Sequence, residues 1–480
     1  MSIDALIFVG YLIVLSIVGF VTAKWMKTAD EYIVAGRRLK LWLAFSTVAA
    51  TWIGGGITIG VAGKAYAGKA IGLWGTTIGF GTTLILVGLF YAGPLRRLRL
   101  YTLADYFSER FNKKWLGGLS GIIMFVAYVF AVTAQIVAGA KLLETVFGWD
   151  YVYGVIVSGG IIVLYTVLGG LWAVSLTDFV QISITFVGVL VTLGMTMAII
   201  GPDQISIKLS ETGLFDPKFI LAFDFWALFL VLGLGDIPAP DLMQRVFASK
   251  DVKTAKLSAI LGGISYYFVG VISAIIGVSA AILLPNLSDP QLAYPMMIKM
   301  VLPAGVAGLV LSGLMAAVMS NADSMLLAPA SVIAKNIFKD LIKPGASDRE
   351  LLMVSRAVVL VLGIAAIVTA LPKPDILYWL TLAFDVLFAS LFFPLTLGLY
   401  WKRLNWQGAA AGIIGGAIAR MILEYALNAG VLPEWWIASL GAPAISAILT
   451  IALSLVTAPP GQKELEAFNK ARAKMVGTTQ

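Results

Sequence analysis

Apolar runs of about twenty residues recur from one end of this chain to the other, and each is long enough to cross a ~30 Å hydrocarbon layer as a helix. Thirteen can be marked, at 4–24, 42–63, 70–94, 117–145, 150–169, 176–200, 218–243, 256–284, 300–334, 352–371, 376–400, 407–426 and 436–457. Backbone amides and carbonyls in lipid must be satisfied within the segment, so the pattern predicts an all-α polytopic membrane protein. The longest polar segments are the 95–115 loop, the 335–352 loop and the tail from Pro459, which leave no room for a soluble domain. Function is therefore expected inside the bundle.

Two runs are interrupted. "ATWIGGGITIG" at 50–60 places three consecutive glycines in the second span, and "GLGDIPAP" at 233–240 places a carboxylate and two prolines in the seventh. Glycine leaves backbone prone to unwinding, and Pro238 and Pro240 lack amide hydrogens. Unwound backbone survives at membrane depth where it lines a cavity or holds an ion. The second span opens a block of five, 42–200, and the seventh opens another, 218–400; five is odd, so the blocks point oppositely across the membrane. Interrupted helices at matching positions of two inverted repeats point to a midplane site in a secondary transporter. Close helix packing through glycine is the structural alternative for either break.

Composition agrees with the pattern. The chain is 60% apolar and 12% charged, with a mean hydropathy of +0.93. Lysine and arginine set the orientation, because basic residues near span ends stay cytoplasmic. With the N-terminus outside, 26 basic residues fall in inside segments and 6 in outside segments, which places the C-terminus in the cytoplasm. The net charge of +8 then reads as anchoring to anionic lipid in the cytoplasmic (plasma) membrane, not as a nucleic-acid footprint. The first span has no basic residue before it and has Lys24 and Lys27 after it, the reverse of a secretory signal peptide. The chain has no cysteine and no histidine, which excludes disulfides, thiolate metal sites, imidazole ligands and Ser-His relays.

Ionisable residues deep in the spans are Asp178, Asp236, Asp323, Asp385 and the pair Arg420 and Glu424. A lone acid at a helix centre costs about 2.5–3.5 kcal/mol on insertion scales, so partners are required. Arg420 and Glu424 are four apart and are expected to pair structurally. Bound cations or hydroxyl networks are the natural compensation for the aspartates. In the ninth span Ala317, Ser320 and Asn321 share one helical face, and Ser320, Asp323 and Ser324 repeat the spacing beside it. Such hard oxygens suit an alkali cation; a Ser/Asn packing seam is the alternative.

At these residues the chain resembles the sodium:solute symporter family, closest to its choline-transporter-like branch. The resemblance spans about residues 1–460 and rests on "AGRRLKLW", "AATWIGGG", "LGGLWAVSLTDFVQ", "IPAPDLMQRV", "MAAVMSNADSMLLAPASVIAKNIF" and "PLTLGLYWKRLNWQGA". It implies a LeuT-type 5+5 inverted repeat with one preceding and two following helices: an extra helix and loop over 1–41, repeats over 42–200 and 201–401, and two C-terminal helices with a tail over 402–480. It also implies a sodium ion held by the carbonyls of Ala49, Trp52 and Ala317 with Ser320 and with Asn321, which replaces the usual Ser or Thr. A second sodium would use Asp178, Ser320, Asp323 and Ser324, where Asp323 stands in place of a serine.

The expected function is sodium-coupled symport of a small organic solute by alternating access in the lipid bilayer, with no obligatory protein partner evident. Trp52, Gly54, Gly55, Asp236 and Ala239 are the expected solute contacts. A choline-like amine or a betaine is favoured, because Trp52 can stack a cationic head group and Asp236 can neutralise it. Ala239 stands where choline transporters carry a tryptophan, so proline or another amino acid competes. Phe80, Trp74 and Tyr66 are aromatics near the approach to the site. A proton-coupled carrier, with Asp323 as the first suspect, and an ion channel are the other classes weighed. "GLGD" at 233–236 matches an intramembrane aspartyl protease string, but the Pro-Ala-Leu motif of such enzymes is missing and prolines follow Asp236 at once, so the chain is not read as an enzyme.

Overall fold

The computed structural model describes residues 2–23, 29–168, 171–372 and 375–473. They form helices and connecting loops, with no β-strand among the described residues. The principal helices are α1 (Ile3–Ala23), α2 (Leu41–Trp52), α3 (Val61–Tyr66), α4 (Ala70–Leu98), α5 (Leu103–Arg110), α6 (Lys114–Phe147), α7 (Tyr151–Leu168), α8 (Leu171–Ile200) and α9 (Phe223–Leu234). They continue with α10 (Pro240–Ala248), α11 (Val252–Leu283), α12 (Val306–Ile342), α13 (Asp348–Ala370), α14 (Ile376–Tyr400), α15 (Trp406–Asn428), α16 (Trp435–Val456) and α17 (Gln462–Arg472).

Polar residues at the loop ends start several of these helices. Asp251 accepts from the Thr254 amide at 2.7 Å to open α11, Asn405 accepts from the Gly408 amide at 3.0 Å to open α15, and Ser347 with Glu350 forms a capping box at α13. Each satisfies amides that the first helical turn leaves unpaired. Gly305, at φ +89°, turns the chain into α12, which is why that helix begins at Val306 and not at the expected 300.

Among the described residues nine helices are long and apolar enough to cross a membrane, or eleven if each sharply bent pair counts as one span. The expected count of thirteen is not confirmed. α1 and α7 are two further apolar helices outside that count, and the seventh run is split into α9 and α10 by its prolines. The second run is split too: α2 ends at Trp52, and a π-helical segment, Gly56–Gly60, continues into α3, the two together running at 52° to α2. Both interruptions expected from the sequence are thus real breaks of helix geometry.

Burial sorts the helices. In α12 the most apolar stretch is 83% buried, whereas in α8, α13, α15 and α16 only 33% is, so α12 runs through the middle and the others face outward. The two broken helices meet at one end of the bundle. The Leu39 amide donates to the Ala248 carbonyl at 3.2 Å and the Lys250 amide donates to the Leu39 carbonyl at 2.9 Å, joining the segment before α2 to the segment after α10.

Candidate transport site

The break after Trp52 brings α2 against α12 and α6. A methyl on Gly54 would lie 2.4 Å from Asn321 Nδ2, and one on Gly55 would lie 2.2 Å from Ala138 Cβ, so glycine is what lets the unwound backbone approach both helices. The Gly55 amide, freed by the break, donates to Gln135 Oε1 at 3.1 Å. Trp52 Nε1 donates to Asp236 Oδ2 at 3.0 Å, linking the first break directly to the second, while Asp236 Oδ1 is buried without a hydrogen-bond partner among the described residues.

The ion-type residues gather on one side of this junction. Asp178 on α8 accepts from Thr47 Oγ1 at 2.5 Å and from Ser320 Oγ at 2.5 Å, and Ser320 Oγ also lies 3.5 Å from the Ala50 carbonyl. The Ala49 carbonyl receives the Ile53 amide at 2.7 Å and the Trp52 carbonyl receives the Gly54 amide at 3.0 Å, which leaves each a second lone pair. Ala317 is buried on the same face of α12 as Ser320 and Asn321, and Asn321 Oδ1 is buried without a hydrogen-bond partner among the described residues. Ser324 meets Thr51 Oγ1 at 3.1 Å and accepts from Arg245 Nη2. Asp323 takes a separate partner, the hydroxyl of Thr166 on α7. The structure thus brings Asp178, Ser320 and Ser324 to one junction of α2, α8 and α12, with Asp323 turned toward α7.

Beside this junction lies a small cavity of about 20 Å³, roughly the room one water needs. Trp52, Phe80, Tyr266 and Phe384 form its aromatic walls, with Phe80 5.1 Å from Phe384 and 6.0 Å from Tyr266 between ring centroids. Gln135, Thr51, Asn321 and Asp241 supply its polar atoms, and Asp241 is the one charged side chain of the lining. Asp241 Oδ1 is held by Tyr128 OH at 2.5 Å and by the Leu242 amide at 2.8 Å. Of the expected solute contacts Trp52 lines the cavity, whereas Asp236 is not in the lining and is reached through Trp52. Gly54, Gly55 and Ala239 are buried nearby without lining it. Trp74 and Tyr66 are directed elsewhere, donating to the carbonyls of Leu214 at 2.6 Å and Leu284 at 2.8 Å.

Sequence reasoning missed Arg245. It follows the seventh span in sequence, yet it is 1% exposed and bonds to Ser324, to Gln244 Oε1 at 3.0 Å and to the Asp241 carbonyl at 3.3 Å. It also missed Asp241, Tyr128 and Gln135, which meet only when separate helices pack. The one available signal was that "IPAPDLMQRV" carries two charged residues directly after a break.

A model of the sodium:solute symporter family matches residues 32–416. The chain belongs to the sodium:solute symporter family. It is 30% identical over 448 residues to an osmoregulated proline transporter of Bacillus subtilis, covering 88% of this chain and 89% of that one. It is also 30% identical over 410 residues to the human high affinity choline transporter 1, covering 82% of this chain and 70% of that one. Among solved structures, a Na+-coupled sialic acid symporter in a substrate-bound outward-open state superposes with a TM-score of 0.82 at 22% identity, covering 96% of this chain and 99% of that one. The fold is LeuT-type, and the protein is a multi-pass membrane transporter and not an enzyme.

Proposed function

We propose that this symporter couples inward movement of sodium to uptake of a small organic cation of the choline type. The observation that carries the proposal is the charge balance around the two breaks. Asp178, Asp236, Asp241 and Asp323 are all essentially inaccessible to solvent, and among the described residues Arg245 is the buried basic residue at their junction, bonded to the Asp241 carbonyl and to Ser324 and to none of the four carboxyl groups. Four buried acids beside one guanidinium favour cations as cargo, both inorganic and organic. The aromatic walls add faces that attract a quaternary ammonium. No lysine or arginine lines the cavity, and the freed Gly55 amide is already occupied by Gln135, so the features that would greet a carboxylate are fewer. Proline and betaines are the second reading, supported by the similarity to a proline transporter.

In this reading sodium is held by the carbonyls of Ala49, Trp52 and Ala317 with Ser320 and Asn321, and the buried, unpartnered Asn321 Oδ1 is the oxygen most in need of a cation. Of the four residues expected to hold a second sodium, Asp178, Ser320 and Ser324 meet at one junction, where the Asp178–Ser320 contact supports shared use of one hydroxyl; Asp323 is engaged by Thr166 and Ser324 by Arg245, so that position needs both to be released. The central cavity is too small for a solute. It is tied at one end by the backbone pairing of Leu39 with Ala248 and Lys250, and at the other by Lys64 with Asp375 at 3.5 Å and Lys141 with Asp289 at 2.8 Å. Transport then requires one tie to open at a time. With the N-terminus outside, the lysine ties face the exterior and the backbone pairing faces the cytoplasm. Sodium stabilises the state that binds solute, so each must raise the other's affinity by the same factor. One sodium ion crossing 100 mV supplies ~2.3 kcal/mol, about a 50-fold accumulation of a neutral solute.

The test is uptake into proteoliposomes of choline, glycine betaine, proline and polyamines, with an inward sodium gradient and with potassium in its place. Choline uptake that vanishes without sodium is expected. Sodium-dependent uptake of proline alone would replace the cation reading with the second one.

A further inference from the structure

A second cavity lies apart from the central one and shares no lining residue with it. It measures about 330 Å³, within the range of small-molecule sites, and sits where α4, α9 and α14 of the transport core meet the C-terminal helices α15 and α16. Its floor is the intramembrane ion cluster that transport does not use. Arg420 contacts Asp385 Oδ2 at 2.8 Å and Glu424 Oε2 at 2.7 Å, and Ser439 Oγ donates to Asp385 Oδ2 at 2.6 Å. The expected Arg420–Glu424 pair is thus one side of a triad with two carboxylates and one guanidinium.

Two features make this triad more than a brace. Its formal charges, one guanidinium against two carboxylates, do not cancel, and the Lys64–Asp375 pair at the rim is neutral as a unit, so with every side chain ionised the cavity carries one excess negative charge. Asp385 is 1% exposed and lines the cavity, and its Oδ1 has no hydrogen-bond partner among the described residues. A buried carboxylate oxygen left open in a net negative, otherwise largely apolar chamber is a receptor for a cation. Tyr378 and Trp435 in the lining add aromatic surface, while Leu228 and Leu382 suit alkyl groups better than a hydrated metal ion.

We propose that this cavity is a second binding site, for a small organic monocation such as an alkylammonium, set against Asp385 and Glu424 and separate from the transport site. Its occupant rests on α9, the half-helix that leads into the second break, and on α14, which carries Phe384 of the central cavity next to Asp385. Occupancy therefore bears on the transport core from outside the transport path.

The experiment is calorimetric titration of tetramethylammonium into the full-length protein in nanodiscs at saturating sodium. Four proteins are compared: wild type, Glu424→Gln, Leu427→Trp and the central-site variant Asp241→Asn. Glu424 is partly exposed, so its isosteric replacement removes the net charge with little risk to folding, and Leu427→Trp fills the chamber without changing charge. Besides binding at the central site, which Asp241→Asn weakens, a separate binding event is expected in wild type that Glu424→Gln weakens at least about tenfold, Leu427→Trp abolishes and Asp241→Asn leaves within about twofold. The proposal is overturned by the absence of this separate event in wild type, by its loss in Asp241→Asn, or by its persistence unchanged in Glu424→Gln. If Leu427→Trp does not fold, the Glu424 and Asp241 variants decide alone.

Discussion

Replacing Asp178 by asparagine separates the ion site from its scaffold. Asp178 receives two hydroxyl hydrogen bonds, from Thr47 and Ser320, each at 2.5 Å, and so joins α2, α8 and α12 at one carboxylate. Asparagine keeps the shape but turns one acceptor into a donor and removes the charge. One of the two hydroxyls must then reverse and accept from the new amide, so a hydrogen bond to a charged group is exchanged for a neutral one. Hydrogen bonds to charged groups contribute about 1.5–3 kcal/mol against about 0.5–1.5 kcal/mol for neutral ones, so the exchange alone, about 1–1.5 kcal/mol, corresponds to roughly 5- to 13-fold weaker sodium binding, and the lost attraction for a neighbouring cation adds to it. The magnitude is read from the sodium concentration that gives half-maximal solute uptake in proteoliposomes. By the reciprocity of coupled binding, solute affinity at low sodium should fall while solute affinity at saturating sodium should recover. A folded Asp178→Asn protein with an unchanged sodium requirement would refute the reasoning, because the carboxylate would then serve packing alone.

Other outcomes follow from the same geometry. Ser320→Ala should raise the sodium requirement by a similar factor, and the double variant with Asp178→Asn should cost less than the two added, which sodium titration of uptake reveals as coupling. Asp241→Asn should weaken choline uptake more than proline uptake, since it removes the charged side chain of the cavity lining; equal loss of both would make Asp241 structural. Gly55→Ala places a methyl 2.2 Å from Ala138 Cβ, an overpacking expected to cost about 1–3 kcal/mol, seen as a lower melting temperature of the purified protein and lost uptake. Lys64→Ala removes a partly exposed pair at 3.5 Å and should change stability by no more than about 1 kcal/mol in the same melting assay.

The architecture was legible where backbone chemistry dictates it. Three glycines and two prolines inside apolar runs marked both breaks, because consecutive glycines leave the backbone free to unwind and the two prolines remove helix amides. The positions of Ser320, Asn321 and Ser324 on one helix were legible for the same reason, since their spacing alone places them together. What could not be read is which residues of different helices touch. Asp323 shares its helix turn with Ser320, yet its nearest partner is Thr166 on α7, 157 positions away. The aromatic walls come from Trp52, Phe80, Tyr266 and Phe384 on four helices, and no local pattern distinguishes them from the lipid-facing Trp42 or Phe268. The burial of Arg245 could not be read because a basic residue near a span end is ordinarily an interfacial anchor, and only the fold shows that this one is enclosed.

The central claim is that sodium and solute move together through the junction of the two broken helices. It is tested most directly by radioactive sodium influx into proteoliposomes with and without choline, in wild type and Ser320→Ala. The account predicts that choline accelerates sodium entry in wild type and that Ser320→Ala removes this acceleration in folded protein. Choline uptake that proceeds unchanged in the absence of sodium, with no choline-dependent sodium entry, would contradict it.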